Sequence, residues 1–157
     1  MEKHLESLQK AINNIRISDH MVYVTYPVIK DKRLILKALD HVSDSIIFII
    51  NSILQFDYLN KRIELSKDNP KLNFEIFRDK CSKRYNINGE ELSEINELFY
   101  MVENHRKSPM EFLRKDKIVI MNENLKTNII DPDKLKKYLN LAKNLVNKAK
   151  FGMSITQ

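Results

Sequence analysis

Tryptophan is missing from this chain, glycine occurs twice, proline four times and cysteine once, at Cys81. With two glycines, neither a glycine-rich phosphate loop nor a dinucleotide fingerprint can be written. A lone cysteine cannot close an internal disulfide, which fits a reducing cytoplasm, and no basic-then-apolar leader opens the sequence. Long hydrophobic runs are absent too. The most apolar stretch, residues 42–56, carries Asp44, Asn51 and three serines, far from the roughly 20 apolar residues of a membrane span. Also missing are the nucleophile-elbow and metalloprotease patterns, and no histidine stands near Cys81 in sequence.

What is present is a chain of 157 residues, 43% hydrophobic and 31% charged. That balance excludes disorder and suits a single domain spanning 1–157 with one core. Lys and Arg number 27 against 21 Asp and Glu, a net charge of +6. An excess of this size reads either as a solvated basic surface or as a modest preference for nucleic acid.

Apolar spacing predicts an all-α fold, an antiparallel bundle of about five helices with one long helix and a small hairpin. Leu5, Leu8, Ile12, Ile15, Val22 and Tyr26, with Asp19 on the same seam, recur every three to four residues, giving either one helix over about 2–25 that Pro27 should stop or a second short helix capped at Ser18-Asp19-His20 and running to Thr25. The clearest seam runs from Ile35 through Leu39, Val42, Ile46, Ile49, Ile53 and Phe56 to Ile63 behind the cap Asp31. A helix over 32–66 would be about 50 Å long, whereas a globule of this size measures about 40 Å across. The mismatch calls for a bend near 57–61 or for a second subunit covering the protruding end, and a homodimer is the favoured expectation.

Asn69-Pro70 starts a third helix carrying Phe74, Phe77 and Cys81, while Asn88 with Glu91 writes a capping box for a fourth reaching about His105. Ser108-Pro109-Met110-Glu111 repeats that box and predicts a short helix bearing Phe112 and Leu113. The segments 118–121 and 125–130 read as the hairpin. Asp131-Pro132 opens a last helix ending near Gly152.

Chemistry-bearing patterns are few. Asp40, His41 and Asp44 lie within one turn without a second ligand set, so neither a metal nor a cofactor is expected. Basic residues gather in Arg106, Lys107, Arg114, Lys115 and Lys117, and again in Lys136, Lys137 and Lys143 of the last helix. Side by side, the two groups would make a phosphate-binding stripe for RNA with little sequence preference. Lysines late in a helix also have a structural use, balancing its dipole.

The runs from Ser18 to Pro27 and from His105 to Ile120 resemble stretches of uncharacterised archaeal helical proteins, a likeness that implies no activity. A few amphipathic helices in a basic domain of this size are also similar to the HEPN superfamily, helical bundles that often dimerise and act as ribonucleases or RNA-associated modules. HEPN ribonucleases carry an Arg followed closely by a His. Here Arg16 and His20 have three residues between them and Arg33 and His41 seven, on either side of the family's window. The resemblance makes Arg16 and His20 the candidate catalytic pair, with His20 as general base on a ribose 2′-hydroxyl. The leading expectation is a non-catalytic binding module for RNA or for a protein partner, and the alternative is a HEPN-like ribonuclease.

Overall fold

The computed structural model describes residues 2–155 except Pro109 and Asp116, with Ile155 by its backbone alone. In chain order it has α1 (Lys3–His20), a π-helical turn (Met21–Thr25), the single turn α2 (Tyr26–Ile29), α3 (Lys32–Leu59) and α4 (Pro70–Ile76). A second π-turn (Phe77–Cys81) and a 3-10 turn (Ser82–Tyr85) lead to α5 (Gly89–Lys107), strands β1 (Met110–Arg114), β2 (Lys117–Met121) and β3 (Thr127–Ile130), and α6 (Pro132–Ile155). The fold is mainly helical, as the periodicity predicts.

Side chains bonded across helices fix the directions. Ser52 donates to the His4 carbonyl, Ser18 to the Ala38 carbonyl, and Ser7 to Gln55, so α1 and α3 run antiparallel. Glu91 meets Lys148 while Glu97 meets Lys134 and Lys137, so α5 and α6 are antiparallel as well. Between the helices lies one dry core, with Ala38, Leu39, Val42, Ile46, Ile53, Ile95, Leu98, Leu139 and Ala142 fully buried.

The structure differs from expectation in five places. The first helix does not stop at Pro27. It widens to a π-turn in which the Tyr26 N–H reaches the Met21 carbonyl, giving the proline room within a continuing rod. α3 ends at Leu59, not 66, because Asp57 is drawn into a buried ion-pair network and Lys61 takes a left-handed conformation (φ 57°). Its 28 residues span about 42 Å, so its length no longer calls for a second subunit. The third helix changes register after Ile76 into the π-turn that seats Phe77 and Cys81. α6 runs on past Gly152 to Ile155.

The last difference is that Met110 to Arg114 form a strand where the sequence predicts a helix. The Ser108 hydroxyl, expected to cap, instead donates toward the Met110 and Met121 carbonyls and so ties β1 to β2. Pro109, expected at a first helical position, lies outside the described residues. The predicted hairpin is β2–β3, and β1 adds to it as a third antiparallel strand in the order β1-β2-β3.

Candidate nucleic-acid interface

The sheet sits where α5 ends and α6 begins. Antiparallel packing brings the end of α1 and the first π-turn to the same end of the bundle, so most of the predicted basic residues gather there. They do not form one stripe.

The lysines of α6 are largely taken up internally. Glu97 of α5 lies 3.4 Å from Lys134 and 3.8 Å from Lys137 and accepts from the Tyr138 hydroxyl at 2.7 Å. That hydroxyl, followed by the two lysines, holds the Glu97 carboxyl below its usual range, while burial and the carboxylate push the phenol up. Lys148 is bonded to Glu91 and to the Asn86 carbonyl. Lys143 is bonded to Asp19 at 2.6 Å. The groove between α5 and α6, about 640 Å³, sets Lys136, Lys137 and Lys148 against Glu90, Glu91, Glu94 and Asp133, and so offers no net attraction to phosphate.

The sheet differs. Ile118, Ile120 and Ile130 are fully buried on its inner face, so strand alternation turns Lys117, Val119 and Met121 outward, with Met110, Phe112 and Arg114 beside them and Thr127 and Ile129 beyond. Register places Phe112, Val119 and Ile129 in one row across the three strands and sets Arg114 directly opposite Lys117. Phe112 is 38% exposed and Ile129 45%, while Val119 between them is covered, at 9%. Arg114, Lys115 and Lys117 have no ion pair among the described residues, and Lys115 stands in the β1–β2 turn at φ 58°. Arg106 and Lys107 end the preceding helix, Lys107 holding Glu103 at 2.8 Å. Glu111 turns inward, where His105 Nδ1 meets it at 2.9 Å and His105 Nε2 faces Asp40 at 3.9 Å. Its charge is thereby withdrawn from the outer face.

Arg16 and His20 are both exposed, one turn apart on α1. His20 Nδ1 lies 3.3 Å from the Thr25 hydroxyl. Beside them Lys136 and Lys143 stack over the Tyr23 ring at 5.0 and 5.8 Å. Asp40 and His41 diverge: His41 Nδ1 pairs with Asn14 Oδ1 at 2.7 Å while Asp40 faces His105. Among the described residues no cluster of three or more His, Cys, Asp or Glu could hold a metal ion, and no helix is long and apolar enough to cross a membrane.

At the opposite end of the bundle is a polar cluster that the sequence reading passes over. Asp57, fully buried, receives Arg62 at 3.1 Å, Arg84 at 2.5 Å and the Tyr85 hydroxyl at 2.9 Å. Burial, and then Asp57, push the neighbouring Cys81 thiol up to about 12. It is therefore a protonated, inert thiol and no nucleophile. The available signal is an Asp on the apolar seam of α3 with Arg62 five residues behind it, whereas Arg84 lies 27 residues on. No protein-family model, curated protein or solved structure matches the chain.

Proposed function

We propose that this chain is a non-catalytic binding module that takes single-stranded RNA on the outer face of its sheet. One observation carries the reading: Phe112 lies half-open in an apolar row, with Arg114 and Lys117 paired across the strands beside it and Lys115 in the adjoining turn. An aromatic ring on which a base can stack, bordered by cations for the backbone, is the arrangement that binds single strands with little sequence preference. Lys137 and Lys143 contribute less, because Glu97 and Asp19 already pair with them, and Lys136 lies over the Tyr23 ring and in the groove lined by acidic side chains of α5.

The test is fluorescence anisotropy with a labelled single-stranded RNA at two salt concentrations. Each lost phosphate contact reduces the salt slope by about 0.7, so the double variant R114E/K117E should bind more weakly and with a shallower slope. Lys148→Glu, inside the α5–α6 groove, should bind like the native chain. Absence of binding at low salt, or equal loss in both variants, would defeat the proposal.

A second reading is a HEPN-like ribonuclease using Arg16 and His20. What favours it is the exposure of both residues on one side of α1, next to Tyr23 and Lys136. Cleavage of RNA by the native chain and its loss in His20→Ala would support it, whereas equal cleavage by both would remove it.

A further inference from the structure

A trough runs along the bundle between α3, α4 and α5. Its wider part, about 790 Å³, is floored by Ile47, Ile50, Leu54, Phe74 and Phe99. A narrower part of about 400 Å³ continues it over the same Ile47 and Phe99 to Arg106 and Lys107. On α3 the trough extends from Ser43 to Leu54, and on α5 from Asn96 to Lys107. Eleven residues along each helix make it about 16 Å long. Ile47 lies at its middle, 41% exposed.

Its borders are cationic. Lys67, Lys71 and Arg78 stand along the wide part and Arg106 and Lys107 at the narrow end, against only Glu75 and Glu103. Arg78 is held by Asp79 and Lys107 by Glu103. Lys67, Lys71 and Arg106 have no ion pair among the described residues.

We propose that this trough docks an acidic amphipathic helix of a protein partner, about three turns long. Two antiparallel helices leave between them a groove into which a third helix packs side by side. Three turns rise about 16 Å, the length of the trough. Apolar residues at i, i+3, i+4 and i+7 of the partner would meet Ile47, Phe99 and Phe74, beneath which Ile50 and Leu54 are buried, the mode by which hydrophobic grooves take amphipathic helices. Carboxylates on its flanks would face Lys67, Lys71 and Arg106, which raises the rate of encounter and disfavours basic helices. The trough is a surface groove and not a closed cavity, which suits a segment of polypeptide. This proposal does not rest on the RNA reading, since Ile47 and Lys71 lie away from the sheet.

The probe is a fluorescein-labelled peptide of about fourteen residues, with leucines at i, i+3, i+4, i+7 and i+8 and glutamates elsewhere. It is titrated with the full chain and followed by anisotropy. A reordered peptide of the same composition, with its leucines spread around the helix, and a peptide with lysine for glutamate serve as controls. The amphipathic acidic peptide should bind at least about tenfold more tightly than either control. Ile47→Asp and Lys71→Glu, both at exposed positions, should weaken it by about tenfold and severalfold, with circular dichroism confirming that each variant stays helical. RNA should not displace it. Equal binding of the reordered peptide, indifference to Ile47→Asp, no binding at about 100 μM, or displacement by RNA would each overturn the proposal. So would a dimer in sedimentation that Ile47→Asp dissociates, because a second copy of the chain would then be the occupant.

Discussion

Tyr138 donates its hydroxyl hydrogen to Glu97 Oε1 across 2.7 Å, joining two residues 41 positions apart in the chain and fixing where the C-terminal lysines go. Once Glu97 is anchored by the phenol, Lys134 and Lys137 fold back onto it. Their charge then serves the packing of α5 on α6.

That arrangement has a pH signature. The folded-state pKa of Glu97 lies below the ordinary value of 4.5, so the ionised group adds stability above pH 4.5 and loses it as pH falls through the folded value. The urea midpoint of the native chain should therefore drop more steeply below pH 4.5 than that of Glu97→Gln. The side chain is 40% exposed, so solvent screening keeps the difference under about 1 kcal/mol. Parallel pH profiles for the two proteins would contradict this.

Asp57 should be the most sensitive polar position. Asp57→Ala strands two guanidinium groups and a phenol, and removing one partner of a buried pair costs about 3–5 kcal/mol. Arg62 and Arg84 remain 22% and 35% exposed and can rehydrate, which places the loss near the lower figure. Tyr85→Phe removes one hydrogen bond and should cost about 1 kcal/mol. Urea unfolding measures both, and a smaller loss for Asp57→Ala than for Tyr85→Phe would refute the ranking.

Gly152 has no room for a side chain. A Cβ built there would stand 2.3 Å from Tyr85 Cδ1 and 2.6 Å from Cε1, and that ring is pinned by its bond to Asp57. Gly152→Ala should lower stability by about 1–3 kcal/mol through overpacking, although alanine is the better helix former. Thermal melts showing an unchanged or raised midpoint would speak against the contact.

His4 is 2% exposed, and neither ring nitrogen has a hydrogen bond among the described residues. It packs edge-on against Phe56 at 5.0 Å, and the Glu2 carboxylate stands 3.3 Å from Nε2, at ion-pair distance but without hydrogen-bond geometry. An apolar replacement removes the cost of an unsatisfied buried group, about 1–3 kcal/mol. His4→Leu is expected to raise the urea midpoint, and a clear drop would mean that the ring makes a polar contact.

On the sheet, Phe112→Ala should cost about 1–3 kcal/mol of RNA affinity, the worth of one stacked base. The salt slope should stay unchanged, since no phosphate contact is lost. A mutant that binds like the native chain would place the RNA elsewhere.

Where neighbours in sequence are neighbours in space, the residues announce the structure. The seam from Ile35 to Phe56, the caps Asp31 and Asn69, and the Asn88–Glu91 box all appear as read. Local signals mislead where a distant partner outbids them. Ser108 has the makings of a cap, yet its hydroxyl meets Met121, 13 residues on. Asp57 looks like the fading of an apolar seam, yet it is the fully buried centre of a network reaching Tyr85. Lys143 looks like a free cation, but its counter-charge, Asp19, lies 124 positions away. The candidate interface was half legible for the same reason: Arg114 and Lys117 stand out in the sequence, whereas the row that exposes Phe112 exists only once three strands align.

The wide turn at Met21–Thr25 holds one residue more than an α-helix would need for the same rise. Ser18 before it, Val22 within it and Tyr26 after it are buried at intervals of four, so the surplus residue is accommodated without turning the buried side away from α3. Shortening the chain by one position there would rotate everything after it by about 100°. Tyr26 would swing toward water, and the link that carries the chain from the first rod into the second would have to be re-laid.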